Sequence, residues 1–218
     1  MKRSFRGRSE PPAPVSIVVR DARPGDRGDL ERFHRGLQLY LAPKETRYHQ
    51  QRLPAGYGRA YVKQSLDLIA KRGGFVLIAE LSRRSVGFLT GLLQPLAPSV
   101  ARMEQRPNVQ GFVLDVFVTP SVRGKGVGQA LFMEAERRFV ARGCDNVQLT
   151  VLPPNLEARR FYERAGYEPI DLRLRKDLGT APRSWEEARR RRQRGRQGLR
   201  RRARRSRRGA KRSRLRNG

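Results

Sequence analysis

The stretch G-F-V-L-D-V-F-V-T-P-S-V-R-G-K-G-V-G-Q, Gly111 to Gln129, passes from strand to helix within one short segment. Phe112 to Val118 is rich in β-branched and aromatic residues, with Asp115 its one charge, and reads as a buried strand. Thr119-Pro120 ends it, because proline has no N–H to give the ladder. From Val127 the apolar residues fall at Val127, Ala130, Leu131, Ala135, Phe139 and Val140, near the helical period, with charged residues between them. Gly124, Gly126 and Gly128 therefore sit in the first turn of that helix and just before it. Glycine permits positive φ and close approach of a ligand, while the first helical N–H groups have no internal partner. An anion supplies the partner. The macrodipole adds about half a positive charge there, and Arg123 and Lys125 add whole ones. This is a place to hold a pyrophosphate.

Two familiar phosphate loops fit badly. The G-x-x-x-x-G-K-[ST] loop is absent, since Gly126 follows Lys125, and a dinucleotide G-x-G-x-x-G fails because Gln129 stands where the third glycine belongs. The residues do meet [Q/R]-x-x-G-x-[G/A] through Arg123, Gly126 and Gly128. Here the chain resembles the GNAT superfamily of N-acetyltransferases, in which this loop grips the pyrophosphate of acetyl-CoA. N-L-E-A-R-R-F-Y-E-R-A-G-Y-E-P, Asn155 to Pro169, resembles the family's other acetyl-CoA segment. The resemblance spans Val15 to Leu178 and is strongest from Gly111 to Tyr167. It implies a single α/β domain, with a mixed central sheet of about six to seven strands flanked by helices. Its central parallel strands splay apart to take the pantetheine arm.

Composition divides the chain. Of the 218 residues, those from Arg183 onward contain 18 Lys or Arg and two acids, a net +16, leaving +13 of the total +29 on the rest. Residues 1–14 are charged and proline-rich without an apolar period, and residues 179–218 form an Arg-rich basic tail, so the folded domain is expected over 15–178. One cysteine, Cys144, excludes an internal disulfide framework, and two separated histidines, His34 and His49, exclude a dense metal cluster. No metal is expected. The basic N-terminus lacks the apolar stretch of a secretory signal, and no run approaches the ~20 residues of a membrane span. The expectation is a soluble, cytoplasmic protein without a membrane partner.

Along the chain the patterns predict a strand at Ser16–Arg20 and a helix with Leu30, Phe33, Leu37 and Leu41 on its apolar face. They predict a second helix over Tyr57–Lys71, a hairpin of Phe75–Leu81 and Val86–Leu93, and a loop over Pro95–Asn108. After the central strand and its helix come a strand at Asn146–Val151, parallel to the central one, a helix at Asn155–Ala165 and a last strand at Tyr167–Leu174.

By the resemblance, main-chain groups of Val116, Phe117 and Val118 hold the pantetheine arm and acetyl group. Arg123, Gly124, Lys125, Gly126, Val127, Gly128 and Gln129 hold the pyrophosphate, and Asn155 touches the cofactor. The other reading of this stretch is a buried strand with an incidental glycine turn. Tyr162 matches the tyrosine that faces the CoA sulfur and can protonate the thiolate, since its free pKa of ~10 keeps the proton at neutral pH. The simpler reading is a core aromatic beside Phe161 and Tyr167. Asn155 can also simply cap its helix. Asp115 is either the partner of an arginine or a polar group facing the acceptor cleft as base. His34 and His49 read as satisfied or exposed histidines, and Cys144 as a small apolar filler at a helix end.

The tail cannot collapse into a core, because like charges repel and little is buried; Ser184-x-x-Glu187 could cap a short helix through Arg192. It is a solvated appendage or a polyanion tether with salt-dependent affinity for RNA or DNA. No nucleic-acid recognition motif accompanies it, so no sequence specificity is implied. The sequence thus implies an acetyl-CoA-dependent N-acetyltransferase acting on a primary amine. The rival is a non-catalytic module of the same fold, brought to nucleic acid or a ribosome by its tail.

Overall fold

The computed structural model describes residues 16–46, 52–94, 109–176 and 190. The expected N-terminal extension, the 95–108 loop and, apart from Arg190, the Arg-rich tail lie outside the described residues.

The elements run β1 (Ile17–Asp21), α1 (Arg27–Leu41), α2 (Tyr57–Lys71), β2 (Phe75–Leu81), β3 (Arg84–Leu93), β4 (Gln110–Val118), α3 (Val127–Val140), β5 (Asn146–Leu149) and α4 (Leu156–Arg164). The strands form one sheet in the order β1-β2-β3-β4-β5, antiparallel throughout except for the parallel pair β4–β5. That sheet is mixed, as expected, but has five strands among the described residues and not six to seven. Residues 167–174 run without strand pairing, and Ile170, Leu172 and Leu174 are exposed. Pro169 can give no N–H to a ladder, and the Asp171 carboxylate takes the Leu172 N–H for itself at 2.7 Å. The β2–β3 connection is also tighter than expected. Ser82 and Arg83 make the turn alone at φ 50° and 61°, the left-handed pair whose twist suits a two-residue hairpin.

Two cores lie on opposite faces of the sheet. On one, the stripe Val127, Leu131, Phe132, Ala135 and Phe139 of α3 packs on Phe75, Leu77, Leu89 and Val113. On the other, Leu30 and Phe33 of α1 and Val62 of α2 pack on Ile78, Phe88 and Phe117. Each of these side chains larger than alanine contributes roughly 1.5–3 kcal/mol when fully buried. The Phe139 ring packs against the sheet where side chains are absent, at Gly91 and Gly111. A Cβ on Gly111 would come within 2.4 Å of that ring, and one on Gly91 within 2.7 Å.

Two irregularities in β4 position the site. Thr90 pairs with Asp115 and Gly91 with Val113, so Leu114 is an extra residue on β4. Such a bulge reverses the alternation of side chains beyond it. Val113 accordingly belongs to the α3 core and Phe117 to the α1–α2 core. The second irregularity starts at the same place. Pairing with β5 runs from Gln110↔Asn146 to Val113↔Leu149 and stops, while β4 continues to Val118.

Candidate active site

Past Val113 no strand among the described residues pairs with the side of β4 that faces β5, so Val116, Phe117 and Val118 lie along an open edge beyond the end of β5. The chain then turns through Pro120–Val122 into the glycine loop. Gly124 and Gly126 have φ of 74° and 84°, which an L side chain adopts only with strain, and Gly126 is the N-cap of α3. No side chain caps this helix and its first turn holds no acid, so the amides of Val127, Gly128 and Gln129 point outward without a partner from a capping side chain. Val127 anchors the turn through its buried side chain, and Lys125 and Gln129 are exposed. The loop has the form of an anion cradle.

The Arg123 side chain turns back onto the end of β4. Its Nε donates to the Val118 carbonyl at 3.1 Å, and its guanidinium stacks 4.4 Å from the Tyr40 ring centre and 5.8 Å from that of Phe117. Its Nη1 is 3.8 Å from Glu157 Oε2, a half-exposed contact of at most about 1 kcal/mol. Tyr40 completes a bridge from α1 to α4: its hydroxyl donates to Glu157 Oε2 at 2.7 Å and lies 3.2 Å from Asn155 Oδ1. Asn155 is buried and makes no side-chain cap on α4, so of the two roles open to it, capping is not the one it plays here. Nothing in the sequence pointed to Tyr40, a half-exposed tyrosine on an otherwise unremarkable helix.

Tyr162 sits in a cluster with Phe132, Phe161 and Tyr167, ring centres 5.3–6.1 Å apart. Burial, then the neighbouring Tyr40, push its hydroxyl up to about 12. It therefore packs as a core aromatic and also holds its proton firmly. Tyr167 is fixed by a bond from its hydroxyl to Glu136 at 3.0 Å. Cys144 is a partly buried free thiol packed against the α3 core, its pKa raised by burial, in keeping with a filler.

Beyond the bulge, Asp115 faces α1 and α2. It is 9% exposed, its N–H donates to Thr90 Oγ1 at 3.0 Å, and the Tyr61 hydroxyl approaches its two oxygens at 3.3 and 3.4 Å. Burial pushes the carboxyl up to about 6, with the Tyr61 hydrogen bond acting in the opposite direction. No arginine is among the described partners of Asp115. His34 is buried beside it, contrary to the expectation of a satisfied or exposed ring, with Nδ1 unbonded and 3.8 Å from Asp115 Oδ2. Burial pulls this imidazole down to about 4, so at pH 7 the contact is not an ion pair. The signal available in the sequence was position: His34 lies four residues after Leu30 and next to Phe33, on the apolar stripe of α1. His49 lies outside the described residues.

Among the described residues no His, Cys, Asp and Glu cluster could hold a metal ion, and no helix is long and apolar enough to cross a membrane. The surface hollows along the outer face of α2 and beside the β2–β3 turn contain none of the candidate residues. The family model of the acetyltransferase (GNAT) family matches residues 37–167, the bulged strand, the glycine loop and α4 included. The chain belongs to the GNAT acetyltransferase family. That family uses acetyl-CoA as its acyl donor. Solved structures share the fold at low identity. A tetramutant of the BH1408 protein of Bacillus halodurans is 19% identical, with a TM-score of 0.63 over 74% of this chain and 99% of that one. The aminoglycoside N-acetyltransferase AAC(6')-Iy in complex with CoA is 18% identical, with a TM-score of 0.56 over 77% and 98%. The aminoglycoside 6'-N-acetyltransferase AAC(6')-IG of Acinetobacter haemolyticus is 13% identical, with a TM-score of 0.55 over 75% and 99%.

Proposed function

We propose that this GNAT domain transfers the acetyl group of acetyl-CoA to a primary amine by direct attack in a ternary complex. The observation that carries the proposal is the break in the sheet: β4 loses β5 at Val113 and runs on, unpaired on that side among the described residues, into a glycine helix start with no side-chain cap. An extended pantetheine arm can pair with the free edge of Val116 to Val118, as an added strand would. Its pyrophosphate then meets the amides of Gly124 to Gln129, with Lys125 beside them, and Asn155 borders the other wall. Arg123 is held on the Val118 carbonyl, at the end of the same edge.

Bound acetyl-CoA supplies the acetyl group and a thiolate leaving group. The protein supplies position and proton transfer. Asp115, mostly ionised at pH 7 yet with its carboxyl raised to about 6, takes a proton from the acceptor ammonium on the α1–α2 side. Tyr162, on the α3–α4 side, gives its proton to the departing sulfur. The acceptor nitrogen loses two protons, one to Asp115, which passes it on to solvent, and one to solvent directly; the thiolate gains one from Tyr162, which regains its own from solvent. The net result is one proton released per amide formed.

The acceptor panel should hold small primary amines, an aminoglycoside, and peptides with a free lysine or N-terminus. The net +13 carried by residues 1–182 weighs against a polycation. Calorimetric titration of acetyl-CoA into the full chain, followed by thiol release with that panel, tests the reading. Binding with turnover on at least one amine is expected. Binding without turnover on any would instead favour the non-catalytic module. Residues 183–218, with net +16, add a sequence-independent affinity for polyanions. On that reading, log affinity for RNA should fall linearly with log salt, and deleting the segment should flatten the slope.

A further inference from the structure

His34 has a buried ring nitrogen that the acetyl-transfer scheme leaves unused. Its side chain is 2% exposed, held between the Phe88 ring at 4.5 Å and the Tyr61 ring at 4.6 Å. Leaving a buried polar atom without a partner costs about 1–3 kcal/mol, so a site that keeps one is either strained or waiting for a group to move. Asp115 Oδ2 lies 3.8 Å from that nitrogen. A displacement of about 1 Å closes that gap to hydrogen-bond length.

Asp115 needs such a donor. Tyr61 reaches its oxygens only at 3.3 and 3.4 Å, long for a bond from a hydroxyl to a carboxylate. The groups that face the pair are Tyr57 and Tyr61 from α2, Phe88 and Thr90 from β3, and Asp115 itself from β4. The Thr90 hydroxyl is taken up by the Asp115 main chain. We infer that His34 is a positioning residue for Asp115: a neutral imidazole carrying its proton on Nδ1, which donates to Oδ2 and aims the carboxylate at the acceptor amine. It takes no proton during turnover. With its pKa held near 4 by burial, the ring stays neutral across the range in which Asp115 titrates. The donor favours the ionised carboxylate, so it moderates the rise that burial imposes.

This inference rests on Asp115 being the base, and two measurements separate it from that reading. The first needs no turnover. The full chain has two histidines, so imidazole ¹⁵N spectra, assigned with His49→Gln, resolve His34 directly. The expected signal is a neutral ring protonated on Nδ1 from pH 5 to 8, stepping near pH 6 with Asp115 and losing that step in Asp115→Asn. A proton on Nε2 with Nδ1 bare, or no response to Asp115→Asn, overturns the assignment. The second is the pH profile of kcat/KM on the best amine of the panel. His34→Phe removes the donor and should move the acid limb up by about one pH unit, a loss of roughly fivefold at pH 6 and little at pH 8. His34→Asn, which keeps a donor near the Nδ1 position, should restore the wild-type limb. An unmoved limb in folded His34→Phe overturns the role of His34; full activity in Asp115→Asn removes the base instead, whatever the spectra show.

Discussion

Thr90 and Asp115 face each other across β3 and β4 at the residue after the bulge, and the Thr90 hydroxyl accepts the Asp115 N–H at 3.0 Å. The same hydroxyl lies 3.4 Å from the Asp115 carbonyl. Where Leu114 interrupts the ladder, a side chain thus does what a backbone group does elsewhere. The bulge turns the carboxylate towards α1 and α2, and Thr90 holds it in that setting.

Thr90→Val keeps the shape of this buried side chain and removes its polar atom, leaving the Asp115 N–H unbonded. Unfolding by urea should show a loss of about 1–3 kcal/mol, while Thr90→Ser should lie close to wild type. A Val variant as stable as the parent would mean that the N–H finds another acceptor and that Thr90 does not hold the bulge.

Asp115 makes the native state pH-sensitive in the direction opposite to that of a salt-bridged acid. Its folded pKa of about 6 stands above the ordinary 3.8. Below the lower value both states are protonated and no penalty exists. Between the two the unfolded chain ionises first, so stability falls as pH rises, and above about 6 the full cost remains. Asp115→Asn should therefore be more stable than the parent at pH 7, by something on the order of 1–3 kcal/mol, and equal to it near pH 3.5, while its turnover collapses. Equal stabilities at both pH values would show that the carboxylate is not held against a cost for function.

Much of this was legible in the sequence, for identifiable reasons. β4 announces itself as an apolar run of β-branched and aromatic residues stopped by Thr119-Pro120, and α3 by its helical period, beginning at Val127 where the first apolar residue of that period falls. The glycine loop was legible because Gly124 and Gly126 mark positive φ. The bulge was not, since an extra Leu in an apolar strand leaves the composition unchanged while reversing the direction of everything after it. The His34, Tyr61 and Asp115 grouping was hidden for the same reason: it joins three elements far apart in the chain, and only the reversed phase of β4 brings them together. The strand expected at Tyr167–Leu174 failed because alternating Ile170, Leu172 and Leu174 supply the pattern of a strand without a neighbour to pair with among the described residues.

Gly126 tests the cradle. Built on Gly126, a Cβ would have room, its nearest neighbour being Ile17 Cδ1 at 3.6 Å, but φ would remain at 84°. Gly126→Val should cost about 1–2 kcal/mol of stability from backbone strain alone, leaving a folded protein by circular dichroism. Acetyl-CoA affinity should fall much further, because the Cβ stands where the phosphate would approach. Calorimetry decides the matter, and unchanged affinity in a folded variant would remove the loop from the site.

Tyr162 carries two roles that one atom separates. Its ring packs against Phe132, Phe161 and Tyr167, a contribution that phenylalanine preserves, whereas the proton it is proposed to give the thiolate belongs to the hydroxyl alone. Burial raises the hydroxyl to about 12, so it remains protonated throughout the working range and contributes no alkaline limb below that pH. Tyr162→Phe should accordingly keep the melting temperature and the affinity for acetyl-CoA, and lower kcat by something like the ~10²–10⁴ expected of general acid catalysis. The loss should shrink with an acyl donor whose thiol is more acidic, because a better leaving group needs less help from a proton. Stopped-flow thiol release with both donors gives the comparison. A uniform loss with both would place the defect in positioning, and a wild-type rate would leave Tyr162 a packing residue only.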